Sequence, residues 1–178
     1  MKTTLTTLLL LIAISASAQK MITKTGKIEF EASVPSFEEV KATHNAATAV
    51  LNAQTGEFAS LALVKGFRFK IALMEEHFNE NYVESDKHPK ATFKGKIENF
   101  DAAALGTTFK DFSIKGQLEL HGKSKAIAAP AKIRKTDAGI EIISNFAVNA
   151  SDFDIQIPSV VKSKVSNKVN IRSEFTVK

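Results

Sequence analysis

The sequence predicts a mainly β domain, an antiparallel β-barrel of about eight strands with one short α-helix. Three observations carry this. Apolar residues recur at every second position in segment after segment, the mark of strands with one buried face. Turn-forming residues separate those segments at short intervals, which makes neighbours antiparallel. A single stretch breaks the period and carries helical spacing instead.

The alternation is clearest over residues 168–178, where Val169, Ile171, Phe175 and Val177 share one face and Lys168, Asn170, Arg172, Glu174 and Thr176 the other. Phe112, Ile114, Leu118 and Leu120 repeat it, as do Ile140, Ile142, Phe146 and Val148, and Ile28, Phe30, Ala32 and Val34. Gln54-Thr55-Gly56, Gly122-Lys123-Ser124 and Thr136-Asp137-Ala138-Gly139 supply turns between runs. Over residues 70–81, Ile71, Met74 and Phe78 fall at i, i+3 and i+7, which predicts the helix. His88-Pro89 then leads, extended, into a strand with Phe93 and Ile97. One short helix cannot cover this much sheet. The sheet must bury its face against itself as a barrel or a sandwich, and a barrel is expected.

Residues 1–18 read as a cleavable signal peptide: Lys2, an apolar run over residues 5–14, and Ala16-Ser17-Ala18. The run falls short of the ~20 apolar residues of a membrane-spanning helix. Residues 19–178 form one domain, expected in a periplasm or, alternatively, the medium. The chain has no cysteine, so packing alone must hold it together. Its net charge of +5 is scattered among acids without a basic stripe, which argues against nucleic acid and leaves room for transient contact with an anionic membrane surface.

Catalytic and metal motifs are missing. His44, His77, His88 and His121 show no ligand spacing, so no metal site is predicted. No nucleophile motif occurs, and Glu75-Glu76 diverge around a helix. Neither an enzyme nor a cofactor is implied. Gly95, Gly116, Ala129 and Ala131 share faces with bulky residues, a pattern compatible with a filled core or with a ligand cavity.

Three stretches resemble the YceI-like polyisoprenoid-binding family. These are His77-Phe78-x3-Tyr82-x6-Pro89-x-Ala91-Thr92-Phe93, then Gly116-Gln-Leu-Glu-Leu-His-Gly-Lys-Ser-Lys125, then Asn149-Ala-Ser-Asp-Phe-Asp-Ile155. The resemblance implies a lipocalin-like barrel with its helix near the mouth and a long isoprenoid or quinone-type lipid inside. Family members often carry Arg-Asp where this chain has Leu73-Met74, and Arg and Gly where it has Ala150 and Asp154, which favours an uncharged headgroup or a different apolar ligand.

The resulting expectation is a carrier for a long apolar lipid. Phe30, Phe93, Phe112, Ile114, Leu118, Phe146 and Phe175 are its candidate wall residues, and Met74 and Phe78 close one end. His77, Ser151 and Asp152 are candidate polar contacts, and would be the components of any enzymatic site. The rival expectation is a filled barrel that binds a protein through its apolar residues 157–161, beside Lys162, Lys164 and Lys168.

Overall fold

The structure is a computed structural model and describes residues 20–178. The predicted signal peptide lies outside the described residues. Nine strands follow one another: β1 (Lys20–Ser33), β2 (Lys41–Asn52), β3 (Glu57–Leu63), β4 (Arg68–Phe69), β5 (Lys90–Ile97), β6 (Lys110–Leu120), β7 (Lys123–Thr136), β8 (Gly139–Asn149) and β9 (Val165–Val177). All pairings are antiparallel, in the order β1-β9-β8-β7-β6-β5-β3-β2, and β2 returns to β1. The predicted barrel is therefore closed, with eight strands in the ring. Strand β4 is a two-residue clip on β2 at Ala42 and Thr43.

Local chemistry fixes the turns. Asn52 Oδ1 accepts from the backbone N–H groups of Gln54 and Thr55, and Gly56 takes φ +74° to end the β2–β3 turn. His121 and Gly122 both have positive φ, 52° and 70°, the two-residue hairpin geometry whose twist matches its flanking strands. Gly95 and Gly116 face each other across β5 and β6, where a Cβ on Gly95 would meet Lys115 O at 2.4 Å and one on Gly116 would meet Lys94 O at 2.3 Å, with the Phe93 ring over both. A Cβ on either would come within 2.8 Å of Phe93 Cζ, at 2.8 Å from Gly95 and 2.7 Å from Gly116. The space at these glycines is thus taken up by the facing strand's backbone and by Phe93.

The predicted helix is present but shorter. Helix α1 (Ala72–His77) passes into a π-helical turn (Phe78–Tyr82). Asn79 explains the change: its side chain donates to the Glu75 carbonyl at 2.8 Å, the acceptor its own backbone N–H would use in an α-helix. Val83 N–H then bonds five residues back, to Phe78 O. Glu75 braces the start of α1, accepting from Phe69 N–H at 3.1 Å and Arg68 at 2.8 Å.

The barrel has two unlike ends. One receives the β2–β3 and β7–β8 turns and residues 98–109, and is packed shut. Leu51, Ile97, Ile133 and Val177 are fully buried there, with Leu105 and the Phe100–Phe112 pair, centroids 6.0 Å apart, filling the middle. The other end is the mouth, where α1, the β1–β2 connection and residues 150–164 converge.

One wall is incomplete. The β7–β8 ladder begins at Thr136–Gly139 and stops at Ala131–Ser144, just before Pro130. Proline has no N–H to continue it. Ser144 Oγ donates instead to the Pro130 carbonyl at 2.7 Å. From there to the mouth, β7 pairs only with β6 and β8 only with β9.

Candidate functional site

Inside the mouth-side half of the barrel lies a cavity of about 690 Å³. Its deep end is formed by Phe58, which stands edge-on to Phe175 (centroids 5.6 Å) and tilted against Phe93 (6.3 Å). One flank is a cluster in which Phe30 and Phe78 approach each other at 5.2 Å and both touch Phe67 and Phe69. The opposite flank is Phe153, fully buried in the turn after β8, with Val64, Val83 and Ile155. Edge-to-face rings of this kind fix each other's orientation, so the flanks are shaped rather than merely greasy.

Of the candidate wall residues, Phe30, Met74, Phe78, Phe93, Ile114, Leu118, Phe146 and Phe175 border the cavity. Phe112 does not. It points inward from β6, but the chain between β5 and β6 folds Phe100 across the barrel against it, so Phe112 belongs to the packed end. Phe58, Phe67, Phe69 and Phe153 also border the cavity without standing out in the sequence. Alternation with Ser60 and Ala62 in β3 would find Phe58, whereas Phe67 and Phe69 lie in a stretch with no period.

Polar candidates separate differently. His77, on α1, borders the cavity. Ser151 and Asp152 do not. Both are exposed on the turn after β8, where Ser151 Oγ accepts from Asn167 Nδ2 at 3.1 Å and Asp152 lies 3.7 Å from Lys125. Of the three, only His77 borders the cavity. Lys164, Glu38 and Ser36 also border the cavity.

Titratable residues stand close to this half in three places. His44 is buried beneath Phe67 (centroids 5.2 Å) and against Gly66, and burial holds its imidazole below the usual histidine range. Its Nδ1 accepts from Ala46 N–H at 3.1 Å. At the rim, Glu84, His88 and His121 bring one ligand atom each within 4.8 Å of one another, a set that no local spacing in the sequence announces. The hydrogen bond from Lys87 holds the Glu84 carboxylate below its usual range. Nearby, Lys123 and Asp154 pair at 2.8 Å, which raises the lysine and lowers the aspartate.

With this architecture in view, the YceI-like domain model matches residues 13–177. The chain belongs to the YceI-like family. Among solved structures it resembles a polyisoprenoid-binding domain of Saccharophagus degradans implicated in plant cell wall breakdown. That match has a TM-score of 0.76 at 14% identity, over 90% of this chain and 98% of that one. BcnA of Burkholderia cenocepacia matches at TM-score 0.69 and 17% identity, covering 84% and 94% of the two chains. The YceI protein of Campylobacter jejuni matches at 0.61 and 19%, covering 82% and 89%. At these identities the likeness is one of fold. No curated protein matches the sequence.

Proposed function

We infer that this YceI-like protein is an exported carrier that takes a long apolar lipid, of isoprenoid or quinone type, into the barrel. The observation that carries this reading is the cavity of about 690 Å³, walled almost throughout by phenylalanine and aliphatic side chains. Its volume lies in the ~300–1,000 Å³ range of small-molecule sites. Each Å² of apolar surface removed from water contributes ~25 cal/mol, so a chain filling the cavity is held without a charged contact. The Saccharophagus degradans relative, described as polyisoprenoid binding, supports the same class of ligand. A wholly filled barrel would have left no such space, which disfavours the interaction-module alternative. The protein works by binding, with no catalytic step.

Export rests on the signal-like residues 1–18, and a periplasm is the compartment proposed. The rim suits contact with a membrane surface: Phe37, Leu63, Leu73 and Val160 are exposed around it, Val160 at 81%, beside Lys162 and Lys164. Basic residues around exposed apolar tips favour an anionic leaflet, the source of the lipid. Among the described residues, no helix is long and apolar enough to cross a membrane.

The test is extraction of detergent-free protein with organic solvent, followed by mass spectrometry. A stoichiometric isoprenoid or quinone is expected. Protein that stays empty after incubation with membrane extract would overturn the carrier reading.

A further inference from the structure

We propose that Glu84, His88 and His121 form a binding site for a divalent first-row transition-metal ion, on the rim of the barrel and separate from the lipid cavity. The hydrogen bonding of His121 is the starting point. Its Nδ1 lies 2.9 Å from the backbone carbonyl of Phe153, which can only accept, so Nδ1 carries a proton. Its Nε2 lies 3.3 Å from Glu84 Oε2, which as a carboxylate oxygen also only accepts. A neutral ring has one N–H for these two acceptors. With that N–H on Nδ1, Nε2 presents its lone pair toward Glu84 Oε2, so two electron-pair donors are aimed at one point.

His88 brings a ring nitrogen into the same 4.8 Å cluster, its ring edge-on to His121 with centroids 4.7 Å apart. Two imidazoles and one carboxylate, with a water in the fourth position, are a zinc ligand set. Zinc bonds of ~2.0–2.1 Å give ligand-to-ligand edges of about 3.3 Å, the separation already present between Glu84 and His121.

The surroundings hold the ligands in place. The Phe153 carbonyl fixes the His121 tautomer that leaves Nε2 as the donor, as outer hydrogen bonds do at metal sites. Lys87 pairs with the other oxygen of Glu84 and leaves Oε2 free. The backbone N–H groups of Lys87 and His88 both return to Glu84 O, at 2.8 and 2.9 Å, closing the turn that carries two of the ligands. His121 is fixed at φ 52° at the β6–β7 hairpin tip. An ion here would join the segment after α1 to that hairpin, and through Phe153 to the segment after β8. The site stands whether or not the cavity takes lipid.

Calorimetric titration of zinc chloride into untagged, chelator-treated mature protein tests this. One equivalent should bind, reversibly by chelator, and raise the melting temperature. His88→Ala and Glu84→Gln should each weaken binding at least tenfold. His121→Asn, which tolerates the positive φ, should do the same. His77→Ala should bind as the parent does. Circular dichroism of each variant establishes that it is folded, and cobalt substituted for zinc should give the visible bands of a four-coordinate ion. Absence of zinc uptake by the parent protein, or undiminished uptake by folded His88→Ala, would overturn the proposal.

Discussion

The packed end and the mouth of the barrel are made from the same eight strands, with the same alternation, and yet one is solid and the other hollow. The difference comes from the connections. At the packed end, residues 98–109 turn inward and deliver Phe100 and Leu105 to the axis, where Phe112, Ile133 and Val177 meet them. At the mouth, the segment carrying α1 lies across the opening, and Met74 and Phe78 face the space without filling it. Alternation determines which way a side chain points. What it meets there depends on chain that has no alternation.

This contrast makes unequal demands on similar substitutions. Ile133→Ala, at the packed end, should have the largest effect, a loss of ~2–5 kcal/mol in urea unfolding with lipid loading unaltered in the folded fraction. Leu118→Ala, on the cavity wall, should lose less than the ~2 kcal/mol lower bound for a close-packed site, because its side chain already borders open space. Its effect should appear instead in the amount of lipid retained. Equal stability losses at the two positions would remove the distinction between the ends.

The smallest effect concerns pH and belongs to the mouth half. Burial lowers the His44 pKa in the fold, so the unfolded chain binds the proton more readily. The stability His44 contributes is complete above its unfolded value of ~6.5 and is lost as pH falls toward the folded value. Melting temperature should therefore drop between pH 7.5 and 5. His44→Gln should flatten that slope while lowering the melting temperature at pH 7.5. An unchanged slope would mean that the mouth half does not titrate through His44.

Strands, turns and closure were legible because each depends on local pattern: period two, Gly and Asn at the bends, and too little helix to cover a sheet. Phe93 and Phe112 show where legibility ended. Both alternate inward in neighbouring strands, and only the path of residues 98–109 separates a cavity wall from a packed plug. The helix was legible from Ile71, Met74 and Phe78, but its widening after His77 depends on one amide side chain. Glu84, His88 and His121 were not legible as a group, since a hairpin tip and a turn distant in sequence meet only in the closed barrel. Pro130 stands within the run Ile127, Ala129, Ala131 and Ile133, where it has no N–H to offer a neighbouring strand.

That proline bears on how the barrel deforms. A fully laddered barrel resists widening because every strand is tied to both neighbours by backbone hydrogen bonds. Above Ala131 and Ser144, β7 and β8 share no backbone-to-backbone ties, and the Ser144 Oγ bond to the Pro130 carbonyl stands where the ladder stops. The β2–β3 ladder is short as well, running only from Leu51–Phe58 to Thr48–Leu61, so the mouth-side half is less tightly laced than the plugged base.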